Sequence, residues 1–151
     1  MNIKNLFIGN TNNTFVQFFR YCFVGGLAFI ADAGSLGLLV EVVKLDEIIS
    51  AVIAFAIGLT VNYYLSKVWI FKKSKIENRF SEFMLFAIIG IVGLLMNMGI
   101  IWLFRDLVGP KQPLEFIPKD KYYMMGKLVS TVIVFMWNFF ARKFLIFNKN
   151  D

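Results

Sequence analysis

Four mostly apolar stretches alternate with short polar segments along this chain of 151 residues, at positions 21–43, 48–71, 83–104 and 122–147. A helix that spans a bilayer needs about 20 predominantly apolar residues, so the pattern predicts four transmembrane helices. The fourth stretch has the shortest uninterrupted apolar part, and basic side chains that snorkel to the membrane surface extend it. We therefore expect an all-α membrane protein.

The composition supports this reading and excludes several classes of protein. Apolar residues make up 58% of the chain and charged residues 17%, against about 45–50% and 25% in soluble domains. The absence of histidine removes the commonest general base, and the single cysteine, Cys22, excludes an internal disulfide. The chain also lacks a phosphate loop, a nucleophile elbow and closely spaced paired carboxylates. The sequence thus predicts no enzymatic activity, no metal and no cofactor.

The basic residues predict the orientation in the membrane. The N-terminal end, the loop between the second and third spans, and the C-terminus carry ten Lys and Arg residues, against six on the opposite side. By the positive-inside rule, both termini of this multi-pass membrane protein are predicted to be cytoplasmic. The N-terminus does not read as a cleaved signal peptide. The chain has a net charge of +6, and its basic residues lie at the ends of the apolar runs. This placement favours anionic lipid headgroups over nucleic acid as partners.

The two halves of the chain resemble each other, which predicts a single domain over 1–151 built from two repeats, about 15–73 and 80–149. Both halves contain the pattern N-[YF]-[YF]-x-x-K-x-x-I-F. Shifts of 65 residues for the first span and 76 for the second align Gly25 with Gly90, Asp32 with Asn97, Glu41 with Asp106, Asn62 with Asn138, and Lys67 with Lys143. Each repeat holds two spans, so the repeats are expected to be parallel, about an axis along the membrane normal.

Four polar residues fall inside the predicted spans: Asp32, Asn62, Asn97 and Asn138. A charged side chain at mid-membrane costs at least about 2.5–3.5 kcal/mol, so such residues need a partner or a hydrated cavity. Two interpretations remain open. They bond one helix to another, which is favoured for Asn97, or they line a polar path across the membrane.

The basic residues at the span ends also have two interpretations. Arg20, Lys67, Arg142 and Lys143 lie at the predicted cytoplasmic ends, where they either anchor the helices or bind a lipid phosphate. Lys127 lies near the outer end of the fourth span, and its counterpart in the first repeat is Ala51. It is either a snorkelling anchor or a second phosphate-binding residue.

The motifs resemble those of the GtrA-like family over roughly 15–147. They are Arg20-Tyr21, Val24-Gly25-Gly26, Asn62-Tyr63-Tyr64 with Lys67-x-Trp69-x-Phe71, and Asn138-Phe139-Phe140 with Arg142, Lys143 and Phe147. The resemblance implies a small multi-pass protein of the bacterial plasma membrane, linked to cell-surface polysaccharide or teichoic-acid glycosylation. Such proteins are described as flippases for a sugar on undecaprenyl phosphate, and similar segments are fused to polyprenyl-phosphate glycosyltransferases.

Three functions compete. The first is a translocase for a polyprenyl-phosphate-linked sugar, with that lipid and the surrounding membrane lipids as partners. The second is a non-catalytic subunit that anchors a membrane glycosyltransferase, and a second copy of the chain is a further candidate partner. The third is a small proton-coupled drug exchanger, which the duplication and the length disfavour.

Overall fold

The computed structural model describes residues 7–8, 12–71, 73–111, 116 and 118–147. This part of the chain is helical and contains no strand. Its four long α-helices are α1, Thr14–Gly37; α2, Glu47–Leu65; α3, Arg79–Trp102; and α4, Tyr122–Ala141. Each lies in a segment long and apolar enough to cross a membrane. The predicted fold class, an all-α protein with four membrane-spanning helices, is confirmed.

Each α-helix passes directly into a π-helical segment. These four segments are Leu38–Val42, Ser66–Ile70, Leu103–Val108 and Arg142–Phe147. With them, the candidate spans become Thr14–Val42, Glu47–Ile70, Arg79–Lys111 and Met124–Phe147. Two short 3₁₀ helices, Gly109–Lys111 and Lys119–Lys121, lie between the third and fourth spans.

The first helix begins about two turns before the apolar stretch that predicts it. Its N-cap is Asn13, whose Oδ1 accepts hydrogen bonds from the backbone N–H groups of Phe15 at 2.9 Å and Val16 at 3.4 Å. The first turns also bury two polar side chains, those of Gln17 and Arg20. Hydropathy alone misses this part of the helix because its cap and its buried contacts are polar.

The described residues fall into two compact units. The first contains the residues up to Arg79, together with Phe147, and the second contains Phe80–Ile146. In the first unit, α1 packs against α2, and the ring of Phe147 stacks on that of Phe71 with centroids 4.8 Å apart. In the second unit, α3 packs against α4.

The helix bounds follow the two shifts that align the halves of the sequence. Helices α1 and α3 both contain 24 residues and begin 65 positions apart, at Thr14 and Arg79. Helices α2 and α4 end 76 positions apart, at Leu65 and Ala141. The bounds therefore agree with an internal duplication, while the parallel arrangement of the repeats stays a prediction.

A glycine allows close helix contact in each unit. A Cβ on Gly58 of α2 would lie 2.8 Å from the Cβ of Asp32 and 3.1 Å from the carbonyl oxygen of Ala28, both on α1. A Cβ on Gly93 of α3 would lie 2.9 Å from Nδ2 of Asn138 on α4. Under the 65-residue shift, Ala28 and Gly93 are equivalent. The close helix contact therefore lies at the equivalent position in each repeat.

Candidate functional site

The change from α- to π-helix occurs at the same position of the repeated motif. The N–H of Ser66 donates to the carbonyl oxygens of Asn62 and Tyr63. The N–H of Arg142 donates to the corresponding carbonyl oxygens, those of Asn138 and Phe139. Since π-helical turns bond residues five apart, the side chains after each asparagine leave the α-helical register. These two turns position most of the basic residues that the sequence singles out.

In the first unit, Arg20 is almost completely buried, with 1% of its surface exposed. Its Nη1 donates to the carbonyl oxygen of Trp69 at 3.0 Å, which joins the start of α1 to the π-helical turn after α2. Lys67 is half-buried, and its Nζ donates to the hydroxyl of Tyr63 at 3.3 Å and lies 5.6 Å from the centroid of that ring. The guanidinium of Arg20 therefore contacts the π-helical turn, and the ammonium group of Lys67 reaches back from that turn to a residue of α2.

In the second unit, Arg142 and Lys143 are buried, with 3% and 9% of their surfaces exposed. The guanidinium carbon of Arg142 lies 3.6 Å from the ring centroid of Phe86 on α3. The Nζ of Lys143 lies 6.0 Å from the ring centroid of Phe139 and equally far from that of Phe144. The faces of these rings attract the two cations. We call Phe86, Arg142 and Lys143 the second-unit cluster.

Other basic residues keep their charges at the surface. Lys73, Lys75 and Arg79 are exposed. The side chain of Arg105 is 63% exposed and pairs with Asp106 at 2.8 Å. A residue that only anchors a helix places its charge in water or among headgroups. The buried cations therefore differ in environment from ordinary anchors.

Lys127 lies apart from the other predicted phosphate-binding residues of its unit. It is exposed on α4, and its carbonyl oxygen accepts hydrogen bonds from Ser130 Oγ at 3.0 Å and Thr131 Oγ1 at 2.7 Å. At 1.5 Å per residue, it lies roughly 24 Å along the helix from Lys143. The structure thus does not bring Lys127 into the second-unit cluster.

The polar residues of the spans differ in their contacts. Ser130 Oγ donates to Asn97 Oδ1, which links α3 to α4 as the structural interpretation of Asn97 expects. Ser66 Oγ donates to Asn62 Oδ1 at 3.2 Å within the second span. Asp32 is half-buried against Gly58.

Asn138 has a distinct environment. Its amide lies against Gly93, and its Oδ1 is buried without a hydrogen bond from any residue that the structure describes. A buried amide oxygen without a donor costs about 1–3 kcal/mol. The present contacts of Asn138 therefore do not account for its buried amide oxygen.

A protein-family model described as "GtrA/DPMS, transmembrane domain" matches residues 20–147. The chain belongs to the GtrA/DPMS transmembrane domain family. The match begins at Arg20 and ends at Phe147, so it includes the buried cations of both units. No curated protein and no solved structure matches the chain. The family indicates a membrane protein of glycosylation pathways.

The structure also adds buried residues, inside the GtrA/DPMS domain and just before it, that the sequence interpretation missed. Glu82 is 1% exposed, and Gln17, which the 65-residue shift places at the equivalent position of the first repeat, is also buried. The same shift pairs Tyr21 with Phe86, and both are buried as well. The alignment of the two halves could have indicated these residues, because it matches polar Gln17 with polar Glu82 and the ring of Tyr21 with the ring of Phe86.

Proposed function

We propose that this protein is a non-enzymatic translocase for sugars carried on polyprenyl phosphate, in the glycosylation of cell-surface polysaccharide or teichoic acid. The observation that carries the proposal is the burial of Arg20, Arg142 and Lys143 at the predicted cytoplasmic ends of the helices. Burying a cation in or near a bilayer is costly, and membrane proteins place such groups where they serve an ion or substrate.

The chemistry of the ligand fits these groups. A polyprenyl-phosphate sugar combines a long apolar chain with one anionic phosphodiester and a polar head. Arginine binds phosphate oxygens through its planar fork, and lysine acts as a point charge on a flexible stem. The buried cations supply both kinds of partner. Lys143, with 9% of its surface exposed, is the least buried of the three.

The sugar needs a polar lane through the hydrocarbon core. Asp32 and Asn62 are the proposed polar lining within the first unit, and Asn138 is the proposed lining within the second. The hydrogen bond from Ser130 assigns Asn97 to the contact between α3 and α4 instead. Asn138 has the strongest support, because its buried Oδ1 is available for a donor such as a sugar hydroxyl. Lys127, exposed near the predicted outer end of α4, is the proposed receiver of the phosphate on the far side.

Proteoliposomes test the proposal. Vesicles that hold a polyprenyl-phosphate sugar in both leaflets are treated with periodate, an impermeant oxidant that initially reaches only the outer leaflet. The purified protein should make the inner-leaflet sugar reactive, and Lys143→Gln should slow this about tenfold, while the exposed control Lys75→Gln leaves the rate unchanged. If vesicles with the wild-type protein expose no more inner-leaflet sugar to periodate than protein-free vesicles, the proposed translocase function is wrong. Copurification with a glycosyltransferase would then support the anchoring-subunit hypothesis.

A further inference from the structure

We infer that Asp32 binds hydroxyl groups of the sugar and thereby distinguishes a sugar-loaded lipid from a lipid phosphodiester without a sugar. The inference rests on the proposed function and adds a specificity-determining residue to it. It follows from the depth of Asp32 in the membrane, from its lack of a partner among the described residues, and from a difference between the two repeats.

The first step is the position of Asp32. It lies ten residues before Val42, the end of the first candidate span. At 1.5 Å per residue this is roughly 15 Å, half of a hydrocarbon core about 30 Å thick. The side chain is half-buried, and its Cβ lies 2.8 Å from the place that a Cβ on Gly58 of α2 would take. A carboxylate at this depth is costly unless it has a partner.

The second step is the search for that partner. No residue that the structure describes donates a hydrogen bond to the Asp32 carboxylate or forms an ion pair with it. Arg20 lies twelve residues earlier on α1, roughly 18 Å along the axis, and donates to the π-helical turn after α2. Lys67 follows Gly58 by nine residues, and its Nζ reaches back to Tyr63. The donors that the carboxylate needs therefore come from water or from a ligand.

The third step is the comparison between repeats. The 65-residue shift makes Asn97 the equivalent of Asp32, and the 76-residue shift makes Ser130 the equivalent of Ala54. In the second repeat, Ser130 Oγ donates to Asn97 Oδ1 and so bonds α3 to α4. In the first repeat, the side chain of Ala54 is buried and has no donor to offer. The contact between α1 and α2 thus forms without a hydrogen bond to Asp32, and helix packing does not explain the carboxylate.

The chemistry of a carboxylate narrows the ligand. Both oxygens accept hydrogen bonds and neither donates one, so the ligand must supply donors. A lipid phosphodiester has none, and its negative charge repels the carboxylate, whereas a sugar carries several hydroxyl groups. Hydrogen bonds to an ionised acceptor are roughly twice as strong as those between neutral groups. A site built to bond a substrate hydroxyl rejects the analogue that lacks it, because the polar group of the site is then left unpaired. Asp32 therefore selects for the sugar.

The test compares lipids with and without a sugar, bound to purified protein in neutral lipid. The probes are polyprenyl-phosphate glucose, galactose and mannose, and the polyprenyl methyl phosphodiester of the same chain length, which has the same charge and no hydroxyl donor. The wild type should bind the tightest of the three hexose lipids at least tenfold more tightly than the methyl diester. Asp32→Ala should reduce that ratio at least fivefold.

Two further variants accompany Asp32→Ala. Asp32→Asn keeps one acceptor oxygen in a side chain of nearly the same shape, so its ratio should lie between those of the wild type and Asp32→Ala. The matched control is Asn97→Ala, at the equivalent position of the second repeat, where the amide oxygen already accepts from Ser130. This control should leave the ratio unchanged.

Three results would overturn the inference: equal binding of the methyl diester and all three hexose lipids by the wild type, an unchanged ratio in Asp32→Ala, or equal reductions in Asp32→Ala and Asn97→Ala. If Asp32→Ala fails to accumulate as folded protein, Asp32→Asn decides, and an unchanged ratio in that variant overturns the inference. Failure of the proposed function gives a different result, because the wild type would then leave the inner-leaflet hexose lipids protected from periodate. A wild type that moves these lipids but binds the methyl diester equally well refutes only the role of Asp32.

Discussion

Replacing Gly58 by alanine tests the helix contact that holds the first unit together. The new Cβ would lie 2.8 Å from Asp32 Cβ and 3.1 Å from the carbonyl oxygen of Ala28. Neither neighbour is the end of a flexible side chain, so α1 and α2 must separate by several tenths of an ångström. Overpacking of this kind costs about 1–3 kcal/mol, whereas glycine to alanine in a helix gains roughly 0.5–1 kcal/mol. We expect Gly58→Ala to lower the free energy of unfolding by about 1 kcal/mol.

The matched control is Gly34→Ala on α1, where the added Cβ has no neighbour within 4 Å. It should raise the free energy of unfolding by roughly 0.5–1 kcal/mol through helix propensity alone. Reversible unfolding in mixed micelles with increasing SDS measures both variants. A Gly58→Ala variant at least as stable as Gly34→Ala would refute the close contact between α1 and α2.

Three further predictions follow from individual residues. Asn97→Ala removes one hydrogen bond between α3 and α4, so the free energy of unfolding in micelles should fall by roughly 0.6 kcal/mol, and at most about 1.7. Transport should be kept, and loss of transport at unchanged stability would contradict the structural role. Asn138→Ala should abolish transport at nearly normal abundance, and parallel losses of transport and abundance in proteoliposome and expression assays would favour a structural role. A cysteine at Ser74, with Cys22 replaced, should resist an impermeant thiol reagent in intact cells, and labelling from outside would reverse the predicted topology.

The four helices could be predicted from the sequence because a helix that spans a membrane needs a long apolar run, and such a run is visible in the hydropathy of the sequence alone. The fold class and the four spans needed no tertiary information. The bounds of α1 and α3 were less predictable, because their first turns contain buried polar residues. Gln17 and Glu82 lie where hydropathy stops, yet both are buried.

The sequence singled out most residues of the candidate site but did not predict their environments. The repeated motif identified Asn62, Lys67, Asn138 and Lys143 from spacing alone. It did not indicate which basic residues are buried, because an anchor and a buried cation look alike in sequence. The packing of Arg142 on Phe86 depends on the pairing of α3 with α4, which no local pattern gives.

The measurement closest to the central claim is the binding of a polyprenyl-phosphate sugar to four lysine variants in neutral lipid. Lys67→Gln and Lys143→Gln remove motif lysines that the structure places in half-buried or buried positions, and Lys73→Gln and Lys75→Gln remove exposed ones. We expect the first two to weaken binding at least tenfold, about 1.4 kcal/mol, and the other two to change it less than about twofold. Equal weakening by all four would show that the lysines contribute only general charge and would contradict a phosphate site built from the repeated motif.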